Sequence, residues 1–118
     1  MKQELIKVNG LQVAPAELEA VLLTHPHVAD SAVVGVTVRG DEYPRAYVVL
    51  KEKSRHITEQ SVQDWVKQRV AKHKQLAGGV VFINEVPKLP SGKITRKIMR
   101  EWAKRDVPLV EKTVRARL

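Results

Sequence analysis

The 118-residue chain has no cysteine and only five aromatic side chains, two Trp, two Tyr and one Phe. Without cysteine there is no disulfide framework and no thiolate metal site, which fits a reducing compartment. With so few aromatics there is no array on which bases could stack. The positive excess, 21 Lys+Arg against 13 Asp+Glu for a net charge of +8, therefore makes a poor case for a nucleic-acid binder. No apolar run approaches the roughly 18 residues of a membrane span, and the stretch from Met1 to Lys7 lacks the apolar core of a signal peptide. A soluble domain is expected. Its 43% hydrophobic and 29% charged residues suit a single compact fold, one that buries about two-thirds of its extended surface.

The charge is unevenly placed. Residues 1–87 carry 11 basic and 10 acidic side chains, whereas residues 88–118 carry 10 basic and 3 acidic. The local patterns predict a short strand at Leu5–Val8, a turn at Asn9-Gly10 and a return strand at Leu11–Val13. A helix starts at Ala14-Pro15, with Leu18, Val21 and Leu22 on one face, and ends at Thr24–Pro26. Two β-branched runs, 28–38 and 43–50, flank Arg39–Glu42 and predict a hairpin. Thr58 is the expected N-cap of a second helix that bears Val62, Trp65, Val66 and Val70 and runs to Lys72 and Lys74. Gly78-Gly79 precedes a strand at Val80–Ile83. A final helix from Thr95 to about Lys104 is expected to turn Ile94, Ile98 and Trp102 to one side. The order β-β-α-β-β-α-β-α predicts an α+β domain: an N-terminal two-stranded hairpin plus a small mixed or antiparallel three-stranded sheet, packed with about three helices.

Few motifs carry chemistry. Gly92-Lys93 fails as a phosphate loop, because Pro87 and Ile94 stand where that motif needs a glycine and a Ser/Thr. His25, His27, His56 and His73 are expected at the surface, with no set of convergent metal ligands. The segment Pro87-Lys88-Leu89-Pro90-Ser91-Gly92-Lys93-Ile94-Thr95-Arg96-Lys97 is the exception. It lifts a lysine onto a Pro/Ser/Gly loop just before a basic helix.

That segment, the stretch from Ile6 to Glu19 (IKVNGLQVAPAELE), His25-Pro26, Ala32–Gly35, Gly78-Gly79 and Glu85–Lys88 together resemble the C-terminal domain of the adenylate-forming superfamily. Its members include acyl-CoA synthetases, 4-coumarate:CoA ligases, luciferases and nonribosomal-peptide adenylation domains. The likeness is strongest to the 4-coumarate:CoA ligase branch and runs over residues 3–105. Asn9 stands where the family usually has a second lysine, His73 and Ala77 replace a usual aromatic and arginine, and the family's hinge aspartate and arginine have no counterpart.

The resemblance implies a domain, residues 1–106, that works with a large N-terminal adenylation lobe of the same enzyme. In such an enzyme a carboxylic acid and ATP give an acyl-adenylate, and CoA then displaces AMP. Lys93 resembles the adenylation lysine, on a loop shaped by Ser91, whose side chain would make a local hydrogen bond, and Gly92. Lys7, Gly10 and Gln12 resemble the residues of the thiolation face, with Gly10 admitting close approach of the pantetheine arm. ATP and CoA are thus expected as substrates, Mg2+ by way of the N-terminal lobe, and no metal or cofactor held by this domain, which alone should be inactive. A luciferase would use the same domain. Residues 107–118 form a basic tail whose last residues, Ala116, Arg117 and Leu118, resemble a peroxisomal address and imply an import receptor as a further partner. Otherwise the domain is expected in the cytoplasm.

Overall fold

A computed structural model describes residues 5–54 and 56–108. The elements follow the expected order: β1 (Ile6–Val8), β2 (Leu11–Val13), α1 (Pro15–Leu23), β3 (Val28–Val38), β4 (Asp41–Leu50), α2 (Glu59–Lys67), a 3-10 turn (Lys72–Lys74), β5 (Val80–Phe82) and α3 (Arg96–Arg105). β1 and β2 form a two-stranded antiparallel sheet, and the other strands form a three-stranded sheet in the order β3-β4-β5. β3 and β4 are antiparallel whereas β5 runs parallel to β4. The fold is α+β.

Strand alternation divides the three-stranded sheet between two cores, because successive side chains leave a strand on opposite faces. Val33, Ala46, Val48 and Val80 join Leu18 and Leu22 of α1, Val62 and Val66 of α2, and Ile6, Val8 and Val13 of the first hairpin. Ala32, Val34, Val36 and Tyr47 face the other way, onto Met99 and Ala103 of α3. Burying each large aliphatic side chain contributes about 1.5–3 kcal/mol relative to exposure, so α3 is held to one face by few but fully buried groups. Arg45 supports it. This buried guanidinium donates to the Tyr47 hydroxyl (3.2 Å), the Gly78 carbonyl (2.8 Å) and Asp106 at the end of α3 (3.2 Å). Burial pushes the Tyr47 phenol above its ordinary range, against the pull of that guanidinium, so the hydroxyl accepts as a neutral group.

The structure departs from the sequence expectations in four places. α2 stops at Lys67 instead of reaching Lys74. No Gly or Pro marks the stop; instead Gln63 donates its side-chain amide to the Leu76 carbonyl (2.6 Å) and Leu76 enters the core, which requires the chain to turn back. On α3 the buried residues are Met99 and Ala103, Trp102 is half-buried against Tyr47, and Ile98 is exposed. β4 begins at Asp41, because Arg39 and Gly40 both take positive φ and close the β3–β4 connection in two residues. Finally, His25 is buried and stacks edge-on against Trp65 at 4.8 Å.

Each glycine of the pair before β5 has its own reason: Gly79 takes a positive φ of 97°, and Gly78 is crowded. A Cβ there would lie 2.8 Å from the Pro44 carbonyl oxygen, to which the Gly78 N–H also donates. The chain must pass that close for β5 to reach β4.

Candidate functional site

The sequence-predicted site residues fall into two groups, each gathered on one tight turn. In the first, β1 and β2 are joined by Asn9 (φ 51°) and Gly10 (φ 80°), the positive pair that a two-residue primed hairpin turn demands. The register sets Lys7 directly opposite Gln12. Ile6, Val8 and Val13 are buried, so alternation sends Lys7 and Gln12 together to the solvent face. A Cβ on Gly10 would meet nothing within 4 Å in this domain; the turn's backbone angle alone calls for glycine there.

In the second group, residues 87–95 form a small hairpin of their own. Lys88 and Ile94 make an antiparallel bridge. The Leu89 N–H donates to the Lys93 carbonyl (2.8 Å), the Thr95 N–H to the Pro87 carbonyl (2.9 Å) and the Gly92 N–H to the Leu89 carbonyl (2.8 Å). Leu89-Pro90-Ser91-Gly92 is thus a hydrogen-bonded β-turn with proline and glycine at the positions that favour them. Gly92 has φ +87° and empty space around its Cβ position. Ser91 is exposed, and among the described residues its hydroxyl has no partner, so the expected local hydrogen bond is not formed. Lys93 is exposed and its ammonium is likewise unpartnered among the described residues, as is that of Lys7.

The basic helix behind the loop is less available than its composition suggests. Arg96 is a ligand of Glu19 on α1, at 2.5 and 3.3 Å. The Glu19 carboxylate is buried and also accepts the Val33 N–H of β3 (2.8 Å). Lys88 pairs with Asp30 on β3 at 2.6 Å. Nothing in the local sequence pattern of Glu19 or Asp30 separates them from solvated helix and strand charges, since their partners lie 77 and 58 residues away.

An open cleft of about 270 Å³ lies between Leu5, Ile6, Gly35, Glu42, Arg96 and Arg100. Neither Lys7 nor Lys93 lines it. The His27 ring lies 4.9 Å from that of His56 and its Nδ1 hydrogen-bonds the Ser54 hydroxyl (3.1 Å), while the His27 backbone N–H donates to Nδ1 of His25. Burial, with His27 and then Arg69 adding to it, holds His25 below the ordinary imidazole range. Among the described residues no group of three or more His, Cys, Asp or Glu is placed to hold a metal ion, and no helix is long and apolar enough to cross a membrane. Ala116, Arg117 and Leu118 lie outside the described residues.

Known proteins are similar to this chain in sequence and fold. The model of the AMP-binding enzyme C-terminal domain matches residues 17–93. A phenylacetyl-CoA ligase of Aspergillus niger is 47% identical over 110 residues, covering 92% of this chain and 20% of the ligase. A luciferin 4-monooxygenase of Luciola mingrelica is 48% identical over 104 residues, 87% of this chain and 19% of that protein. The crystal structure of apo MatB from Rhodopseudomonas palustris superposes with a TM-score of 0.80 at 30% identity, covering 87% of this chain and 20% of that one. The chain therefore spans about a fifth of the length of the curated relatives it matches. With the family model covering residues 17–93 and solved acyl-CoA synthetases sharing the fold, the chain belongs to the AMP-binding enzyme C-terminal domain family of the adenylate-forming enzymes.

Proposed function

We propose that this domain is the mobile C-terminal part of an ATP-dependent acyl-CoA ligase, supplying one lysine to each of two half-reactions. The observation that carries the reading is the pair of turns, each presenting an exposed lysine that has no partner among the described residues. In the first half-reaction a carboxylate oxygen attacks the α-phosphorus of ATP and pyrophosphate leaves. Negative charge builds on the oxygens around that phosphorus, and Lys93 brings a compact ammonium to them when the domain closes on its N-terminal lobe. The β-turn at Leu89–Gly92 holds the lysine backbone, so little reorganisation is left for the moment of reaction.

In the second half-reaction the CoA sulfur attacks the acyl carbonyl, AMP leaves and the thiol proton passes to solvent. Lys7 and Gln12, side by side on the first hairpin, offer a cation and an amide to the departing phosphate, and the Gly10 turn leaves the approach clear. ATP and CoA are substrates here, with Mg2+ brought alongside the ATP phosphates by the N-terminal lobe. The luciferin 4-monooxygenase is as similar to this domain as the ligase is, so the acceptor and the acid are selected outside it. Joined in frame behind the N-terminal portion of the A. niger phenylacetyl-CoA ligase, the domain is expected to restore ATP- and CoA-dependent phenylacetyl-CoA formation that this portion alone lacks. A folded chimera no more active than the portion alone would overturn the reading.

A further inference from the structure

The loop that carries Lys93 is short and exposed at its tip; Val86 before it and Ile94 after it pack into the second core, and polar contacts tie down both stems as well. Lys88, on the incoming stem, pairs with Asp30 at 2.6 Å. Arg96, just past the outgoing stem, meets the Glu19 carboxylate through both Nη2 (2.5 Å) and Nε (3.3 Å). The two acceptors belong to one rigid unit. Glu19 also holds the Val33 N–H on β3 and its backbone carbonyl accepts from Ser31 of β3, so α1 and the strand that carries Asp30 are locked to each other. A two-pronged guanidinium–carboxylate contact fixes orientation as well as distance. A buried carboxylate with three donors also has no competing conformation that would satisfy it as well.

We propose that Glu19 and Asp30 are positioning residues for Lys93, acting through Arg96 and Lys88 to hold the two stems of its loop at fixed points on α1 and β3. The proposal rests on the reading of Lys93 as the adenylation lysine and adds the contacts that aim it. It also gives Arg96 a structural assignment in place of a phosphate-binding one, because its fork is already occupied within the domain. The Glu19–Arg96 pair holds the foot of the loop and dominates; the Lys88–Asp30 pair is more exposed, with side chains 40% and 29% accessible, and screened accordingly.

The test uses the chimera described above, with pyrophosphate release (adenylation) and thioester formation from supplied phenylacetyl-adenylate measured separately. An active wild-type chimera that loses adenylation on Lys93→Ala establishes the underlying reading; without that result the reading, not this inference, has failed. In that background Arg96→Gln is expected to lower the adenylation rate at saturating ATP by about tenfold or more, the scale on which small misplacements of a reacting group act. Thioester formation should stay within about twofold and Arg96→Lys should recover part of the loss, since it keeps the charge but not the fork. Glu19→Gln combined with Arg96→Gln should cost no more than the worse single change, because both break one contact. Asp30→Asn should show the same one-sided pattern more weakly, and it avoids the buried site should Glu19→Gln impair folding. Adenylation unchanged by Arg96→Gln, or both half-reactions falling together, would overturn the proposal.

Discussion

The two lysine-bearing turns are built on different physics. The Lys7 hairpin is held from below: Ile6, Val8 and Val13 are buried in the main core, and the lysine stands opposite them as a consequence of strand alternation. The Lys93 loop buries little; Leu89 at its tip is exposed, and its geometry comes from backbone hydrogen bonds, a proline-glycine turn and two ion pairs. A lysine placed by packing cannot be displaced without cost to the whole domain. One placed by polar ties can be misaimed by a single side-chain change while the rest of the domain stays folded.

The largest effect should come from attacking the first turn through its packing. Ile6→Ala should lower the unfolding free energy of the domain by about 2–5 kcal/mol, as buried aliphatic truncations do, readable as a fall in the thermal midpoint; an unchanged midpoint would mean that the hairpin is not held by the core. Gly10→Ala and Gly92→Ala each force an L-residue to positive φ and should cost about 1–2 kcal/mol at most, with no steric term because both sites are open. The Gly10 change should reach the core strands and the global midpoint, whereas the Gly92 change should speed amide exchange at Leu89 and Thr95 and leave the midpoint nearly in place. Asp30→Asn should shift stability by no more than about 1 kcal/mol, the range for exposed ion pairs, whatever it does to adenylation.

The smallest effect concerns neither turn. His25 titrates below its unfolded value, so the unfolded chain binds the proton more readily and stability is lost as pH falls from about 7 toward that lowered value. Thermal midpoints measured across that window should decline on acidification, and His25→Asn should flatten the decline. Equal slopes in both proteins would remove His25 as the cause.

Much of this was legible in the chain itself. Asn9-Gly10 between short apolar runs specifies a primed hairpin, Thr58 is the N-cap it promised to be, with Ser61 completing a reciprocal cap, and Pro90-Ser91-Gly92 specifies the turn beneath Lys93. The early start of β4 is a local miss, set by the positive φ of Arg39 and Gly40; the other misses share a cause, which is that the deciding partner lies elsewhere along the chain. α2 ends where it does because Gln63 binds Leu76; α3 turns Met99 and Ala103 rather than Ile98 inward because that face meets Ala32, Val34 and Val36 of β3; His25 leaves solvent because Trp65 covers it. The same limit hid Glu19 and Asp30. In the sequence, Lys88 and Arg96 are only basic residues at either end of a Pro/Ser/Gly loop, and only the fold shows that their charges are already paired.

On the proposed reading each turn serves its own half-reaction. Its most direct test is a crossed comparison in the active chimera of Lys93→Ala and Lys7→Ala, with pyrophosphate release and thioester formation from supplied phenylacetyl-adenylate measured for both. The account predicts that Lys93→Ala removes adenylation by about a hundredfold or more, the scale of losing one preorganised charge, and spares thioester formation, while Lys7→Ala does the reverse. Equal damage to both half-reactions by either substitution would contradict it.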